Sequence, residues 1–327
     1  VGDQIFTDGN SASGLGMVYG GATVAAWYPI TPSTSIPEAF QKYCDKFRID
    51  RTQQSDLLSC AYASHGDTKH VLLFPQDPHE SFTHSAAALD LADRLQTPIF
   101  VMLDLDIGMN QRLCKPFALD DSKEYDRGKV MTAEELEAGK DFGRYKDVDG
   151  DGIPWRTLPG THPSKGAYFT RGTTRNPYAL YSERGPDYIY NMERLQRKFK
   201  TAATLVPQPI VRKAPQPTRY GVIYYGSTTP AMREALDVLE AEGIYVDAMR
   251  LCAFPFPQSV PDFIAAHDKV FVVEQNRDAQ MRTMLINELE TNPADLERVL
   301  HYDGTPITAR FIVAAIKKCL AQAKETV

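Results

Sequence analysis

Apolar residues in this chain follow two rhythms. Short unbroken runs, bounded by Gly, Pro or Asp, alternate with longer stretches in which apolar residues return every three or four positions. The short runs predict buried strands at 22–30, 69–74, 97–104, 219–225, 244–251 and 269–274. The longer stretches predict helices from Asn10, as N-cap, through Tyr19, and at 35–47, 53–63, 78–95 (capped by Asp77), 189–205, 229–242 (ended by Gly243) and 260–267. Strands alternating with helices imply an α/β fold with a mostly parallel sheet covered on both faces. Residues 107–184 lack either rhythm and are rich in Gly, Pro, Asp and Tyr. Long surface loops with one short helix at 133–138 are expected there, and long ordered loops are usually functional.

At 327 residues the chain has room for two domains. Four prolines in the twelve residues 206–217 read as a stiff linker between a unit at 1–205 and a smaller α/β unit at 218–327. A hydrophobic content of 43%, with 24% charged residues and a net charge of −6, is ordinary for a globular protein and argues against a nucleic-acid surface. The densest basic run, Arg194, Arg197, Lys198 and Lys200, reads as a solvated helix face. No stretch reaches transmembrane length, so no membrane partner is expected, and Val1-Gly-Asp-Gln4 lacks the features of a signal peptide. Five scattered cysteines without a Cys-x-x-Cys spacing fit a reducing cytoplasm and offer no home for an iron–sulfur cluster.

The sharpest local feature is Trp27-Tyr-Pro-Ile-Thr-Pro-Ser-Thr-Ser35. The strand is stopped by Pro29 and Pro32. Thr31 precedes a proline, so its backbone is pushed toward the extended region and its hydroxyl is held in a narrow range of directions. Ser35-Ile-Pro-Glu38 then forms a capping box that opens a helix. A strand end, a rigid hydroxyl and a helix N-terminus favouring an anion stand where ligands bind in open α/β sheets, although ordinary turns use the same residues. Elsewhere, Asp147-Val-Asp-Gly-Asp-Gly152 resembles the start of a calcium loop, but Pro154 and Leu158 occupy positions that need other residues, so an Asp-Gly turn is favoured. Gly150-Asp-Gly152 with Asn176 approaches the spacing of a thiamine diphosphate–magnesium motif, yet lacks the apolar strand that must lead into it. His65 and His162 are weighed as acid–base groups and favoured as loop or core residues. Arg171 could reach a substrate carboxylate with its planar fork, or lie in a surface ion pair.

Tyr28-Pro-Ile-Thr-Pro32 resembles the motif with which the 2-oxoacid:ferredoxin oxidoreductases bind the pyrimidine end of thiamine diphosphate. Asp8-Gly-Asn10 with Gly14-Leu-Gly16, Arg51-Thr-Gln-Gln-Ser-Asp56, Gly160-Thr-His-Pro163, Gly166–Gly172 and Val273-Glu-Gln-Asn276 are similar to the 2-oxoglutarate-type alpha subunit. The resemblance runs nearly end to end. It implies a pyrimidine-type thiamine diphosphate domain followed by a unit like the transketolase C-terminal domain. It also implies coenzyme A-dependent oxidative decarboxylation of 2-oxoglutarate with reduction of ferredoxin, or the reductive reverse. Tyr28, Pro29, Ile30, Thr31 and Pro32 would contact the cofactor, and Thr31 would also act in catalysis. Thr31, Arg51, Thr52 and Arg171 would bind substrate. Diphosphate, magnesium and a [4Fe-4S] cluster would be held by a beta subunit, in a dimer of heterodimers, and no metal by this chain. Pyruvate or a branched-chain 2-oxoacid as substrate, or a non-catalytic role, stay open.

The first sheet reads as too small, with three convincing strands where about four to six are usual. In the family several tens of residues stand between the matches to Asp50 and Arg51, among them the glutamate that contacts the aminopyrimidine. A further domain stands before the match to Val1. An omitted segment is the favoured expectation over a true deletion, because losing interior strands would forfeit more than a domain's marginal stability.

Overall fold

The computed structural model describes residues 4–19, 54–64, 66–118, 122, 125–170 and 174–325. The strand expected at 22–30 and the helix expected at 35–47 lie outside them. Ten strands appear among the described residues: β1 (Ile5–Thr7), β2 (Val71–Leu73), β3 (Ile99–Val101), β4 (Arg112–Cys114), β5 (Ile210–Arg212), β6 (Tyr220–Tyr225), β7 (Asp247–Leu251), β8 (Ala253–Phe254), β9 (Lys269–Glu274) and β10 (Leu296–Leu300). The α-helices are α1 (Gly9–Tyr19), α2 (Leu57–Ala61), α3 (Pro78–Leu95), α4 (Leu105–Met109), α5 (Ala133–Glu137), α6 (Gly185–Leu205), α7 (Thr229–Ala241), α8 (Ser259–Ala265), α9 (Gln280–Leu289) and α10 (Ala309–Glu325).

Sequence dictates why β6 and β9 lie at the centre of the larger sheet. Both are apolar at every position from their second residue to their fifth or sixth, so both faces must be covered. Val222 and Tyr224 of β6, with Phe271 and Val273 of β9, face α7 and α10 through Met232, Leu236, Leu239, Ile312 and Ile316. The alternate positions Ile223, Tyr225, Val270 and Val272 face the other way, onto α8 and α9 and onto Leu72 and Phe74 at β2. The sheet order is β10-β9-β6-β7-β5, parallel except for β5, which pairs antiparallel to β7. The proline-rich stretch 206–217 therefore contributes an edge strand.

In the smaller sheet, β3-β2-β8, β2 and β3 run parallel and β8 runs antiparallel to β2. Only Cys252 separates β7 from β8, so the chain steps from one sheet directly into the other, and the Phe74 amide donates to the Cys252 carbonyl at 2.8 Å. Ala88, Leu91 and Leu95 of α3 cover Val71 and Leu73, joined by Phe199 and Ala202 of α6. Asp77 caps α3 as expected, accepting from the Glu80 amide at 2.8 Å.

Several local expectations are corrected. Helix α1 begins at Gly9, capped by Asp8, which accepts from the Ser11 amide and hydroxyl at 2.7 and 2.8 Å, and not by Asn10. The helix expected at 53–63 shrinks to α2, because residues 54–56 are drawn into other hydrogen bonds. Besides α5, the irregular middle contains the end of α4 and strand β4, which pairs antiparallel with β1. Asp147–Gly152, by contrast, is the Asp-Gly turn that was expected: the Asp147 carboxylate accepts from the amides of Gly150 and Gly152 at 3.0 and 3.1 Å, and Lys129 ties down Asp149 and Asp151. Gly152 has φ +79°, and a Cβ there would lie 2.3 Å from the Lys198 amide, so only glycine lets the turn press on α6.

That pressing overturns the reading of the basic run as a solvated face. Arg194 and Lys198 are buried. Arg194 donates to the Gly152 carbonyl at 3.0 Å, and Lys198 donates to the Gln96 carbonyl at 3.5 Å and lies 5.3 Å from the Phe199 ring centroid. Burial, with Arg194 and Arg144 nearby, pulls the Lys198 ammonium down from 10.5 to about 8. The unfolded chain keeps that proton up to pH 10.5 while the folded chain releases it above about 8, so the penalty is complete below pH 8 and fades as pH rises to 10.5. Lys198→Met is therefore expected to stabilise the protein at pH 7 by up to about 3 kcal/mol. Paired urea unfolding of variant and parent at pH 7 and pH 10 should show that advantage shrinking; a constant difference would mean that only packing changed.

Candidate functional site

The C-terminal ends of β2, β3, β6 and β9 converge where the two sheets meet, the position at which parallel α/β sheets present ligand groups. The segment Gln54-Ser-Asp56 crosses these ends. Gln54 is buried and bonded on every side. Its amide donates to the Gln275 carbonyl at 2.8 Å, and its side-chain carbonyl accepts from the Gln275 amide at 3.1 Å. Its side-chain NH2 donates to Asp104 Oδ2 and to the Tyr225 carbonyl, both at 3.4 Å. Its own carbonyl accepts from Asn276 Nδ2 at 3.2 Å. Gly226, at φ +58°, turns the end of β6 beneath it, and a Cβ there would stand 3.0 Å from Gln54 Nε2.

Asp104 and Glu274 anchor this network. Asp104 caps α4, accepting from the Ile107 amide at 3.0 Å and from the Ser227 hydroxyl. Burial raises its carboxyl above the ordinary range, and the bonds from Ser227, Ile107 and Gln54 oppose that rise. Glu274 ends β9 and holds the first turn of α9, accepting from Met281 and Arg282 amides at 2.8 and 3.2 Å and from Asn276 Nδ2 at 2.6 Å. Burial raises its carboxyl too, against those same donors. Gln275 completes the ring by donating to Ser227 Oγ at 2.8 Å and Thr228 Oγ1 at 3.2 Å. Two polar runs 221 residues apart in sequence thus become one unit.

Beside this unit lies a cavity of about 50 Å³ lined by Gln54, Ser55, Phe74, Met102, Asp104 and Gly226. That volume is room for about four water-sized spheres. A second, open pocket of about 360 Å³ is lined by the loop from Thr157 to Tyr168. His162 organises that loop: its Nδ1 accepts from the Ser164 and Lys165 amides at 3.1 and 2.9 Å, which leaves Nε2 to donate to Glu137 at 2.5 Å. With both ring nitrogens taken, His162 is a loop pin and not an acid–base group. Among the described residues, no group of His, Cys, Asp and Glu could hold a metal ion.

No family model matches the chain. It is 26% identical over 309 residues to the 2-oxoacid:ferredoxin oxidoreductase 2 alpha subunit of Aeropyrum pernix, covering 93% of this chain and 44% of that protein. It is 23% identical over 229 residues to the 2-oxoglutarate synthase subunit KorA of Methanothermobacter thermautotrophicus, covering 68% of this chain and 57% of the relative. The chain is similar to 2-oxoacid:ferredoxin oxidoreductase alpha subunits. It spans about half the length of these curated relatives. The fold matches the 2-oxoglutarate:ferredoxin oxidoreductase of Magnetococcus marinus, solved with 2-oxoglutarate, coenzyme A and succinyl-CoA bound, at a TM-score of 0.82 and 20% identity, over 97% of this chain and 65% of that one. The expected α/β class with parallel sheets is what the structure has.

Tyr28, Pro29, Ile30, Thr31, Pro32, Arg51, Thr52, Arg171 and His65 lie outside the described residues. Asp104 and Ser227 were not singled out from sequence, and Gln275 was quoted only within the motif Val273–Asn276, with no role. A usable signal existed for Gln275, since Val270–Val273 ends in Glu-Gln-Asn, three polar groups at the end of a buried parallel strand. The site frame is also braced by Arg250, whose guanidinium meets the Glu80 carboxylate with two bonds of 2.8 and 2.7 Å and so fastens α3 to β7. Arg250→Met leaves the mostly buried Glu80 carboxylate with only the Gln76 amide and side-chain NH2 as donors and should cost roughly 3 kcal/mol in chemical denaturation, whereas a loss under 1 kcal/mol would show the pair to be a surface-like contact.

Proposed function

We propose that the chain is the thiamine diphosphate-binding alpha subunit of a 2-oxoacid:ferredoxin oxidoreductase acting on 2-oxoglutarate. The observation that carries this reading is the alignment over 93% of the chain with an alpha subunit, together with the cofactor-type motif at Tyr28–Pro32. The 2-oxoglutarate preference is supported by the synthase relative and by the fold match to an enzyme of that name. The reaction would convert 2-oxoglutarate and coenzyme A to succinyl-coenzyme A and carbon dioxide, with two electrons passing to ferredoxin, or run in reverse.

Thiamine diphosphate, when bound, supplies an electron sink for carbon–carbon cleavage. The described residues fit a frame for that group and not its diphosphate–metal contacts, since the convergent groups are amides, hydroxyls and carboxylates already engaged with one another. Diphosphate, magnesium and a [4Fe-4S] cluster would then be held by a beta subunit, in a cytoplasmic dimer of heterodimers. In this chain Thr31 would direct its hydroxyl at the reacting end of the substrate. Arg51 and Thr52 would take the substrate carboxylate by charge and hydrogen bonding, with Arg171 as a further cation. Units 1–205 and 218–327 would be its two domains, joined by the 206–217 stretch.

Co-purified with its beta subunit, the protein should reduce a viologen dye far faster with 2-oxoglutarate than with pyruvate; equal or reversed rates would reassign the substrate within the family. Thr31→Val should lower kcat roughly a hundredfold or more with little change in melting temperature. Unchanged turnover would make Thr31 a turn residue only.

A further inference from the structure

Three cations gather beside α6, and among the described residues no carboxylate bonds to any of them. Arg194 and Lys198 stand one turn apart on the helix and are both buried. Arg194 makes one hydrogen bond, from Nη1 to the Gly152 carbonyl at 3.0 Å, and its Nε–H is buried without an acceptor. Lys198 has three hydrogens to donate and one acceptor, the Gln96 carbonyl at 3.5 Å. Arg144 joins them across the Tyr145 ring: its guanidinium lies 5.4 Å from the ring centroid, and that of Arg194 lies 5.7 Å from it. Arg175 adds a fourth charge, 5.0 Å from the same centroid, and donates to the Tyr145 hydroxyl at 2.9 Å. Asp147, whose charge reaches Arg194, is spent on Arg197 at 2.9 Å and on the amides of Gly150 and Gly152.

Like charges buried together repel one another and lose their water, a cost that an opposite charge removes. The excess is felt around it. Burial, then the charges of Arg194 and Arg144, lowers the Lys198 ammonium, and burial, then the charge of Lys198, lowers the His70 imidazole. We propose that Arg144, Arg194 and Lys198 form a binding site for a phosphate-type oxyanion, with Lys198 Nζ and Arg194 Nε–H as its inner donors and Arg144 as its outer cation. Such an anion carries several acceptor oxygens and can take a guanidinium edge and an ammonium at once. Arg144 is half-buried, and its guanidinium lies 5.7 Å from the centroid of Tyr168, a ring that lines the open Thr157–Tyr168 pocket, so the anion enters from that side. The contact with Gln96 and the field at His70 place the site at the N-terminal ends of β2 and β3. Asp104 and the Gln54 network stand at the other ends of these strands, so the site is separate from the proposed decarboxylation chemistry.

The test is thermal unfolding of the full chain at pH 7, in chloride and in inorganic phosphate at matched ionic strength, for the parent, Lys198→Met and Arg144→Met. With a Kd of about 1 mM, phosphate at about 10 mM should raise the parent's melting temperature by about 2 °C or more. Each variant should gain less than half of that. Lys198→Met removes a buried charge and Arg144→Met a half-buried one, so both are expected to fold. Sulfate, whose own charge is constant over the range, gives the pH dependence: Lys198 loses its proton above about 8, so the parent's gain should shrink between pH 7 and pH 9.5 while that of Lys198→Met stays flat. Titration calorimetry with adenosine 3′,5′-bisphosphate separates the sources of the anion. Binding more than about tenfold tighter than phosphate assigns the site to a nucleotide phosphoryl group, and equal or weaker binding assigns it to the free ion. Equal gains in parent and variants, or no gain in the parent, would mean that salt acts on the protein generally and would overturn the site.

Discussion

The constraint on which the rest depends is that neither sheet can bury its apolar faces alone. The smaller sheet has two strands of its own among the described residues, and each is three residues long. Leu72 and Phe74 are fully buried only because Ile223, Tyr225, Met249 and Phe254 of the other half close over them. A shared core of this kind places two sets of parallel strand ends side by side. It thereby creates a cleft where backbone polar groups from both sheets emerge without partners of their own.

The polar network is the answer to that exposure. Carbonyls and amides at the ends of β6 and β9 would be stranded in a buried seam, at a cost of about 1–3 kcal/mol each. Gln54, Asp104, Ser227, Gln275 and Asn276 satisfy them mutually. Two carboxylates, Asp104 and Glu274, are buried in the process, and each is tolerated because backbone and side-chain donors surround it. The same seam that stabilises the fold therefore defines the edge of the proposed active site. Helix α6 shows the opposite economy, since Arg194 and Lys198 are buried there by the turn at Gly152 without any carboxylate against them.

Much of the architecture was legible from pattern alone. Helix α3 with its Asp77 cap, the strands β2, β6 and β9, and helix α7 all follow from runs and periodicities that only one local structure suits. The turn at Asp147 was legible too, because its chemistry is local. The burial of Arg194 and Lys198 was not, since it depends on a loop forty residues away pressing glycine first onto the helix. Helix α10 could have been read from its spacing of Phe311, Ile312, Ala315, Ile316 and Cys319.

The sequence by itself determined the α/β class, the order of the main elements and the motifs shared with alpha subunits, because these depend on residues close together in the chain. Tertiary structure alone decided that β8, two residues long, would complete the first sheet, and that Gln54 would meet Gln275. Such pairings are selected by which faces and which unsatisfied groups remain after local structure has formed, and that remainder is a property of the packed whole.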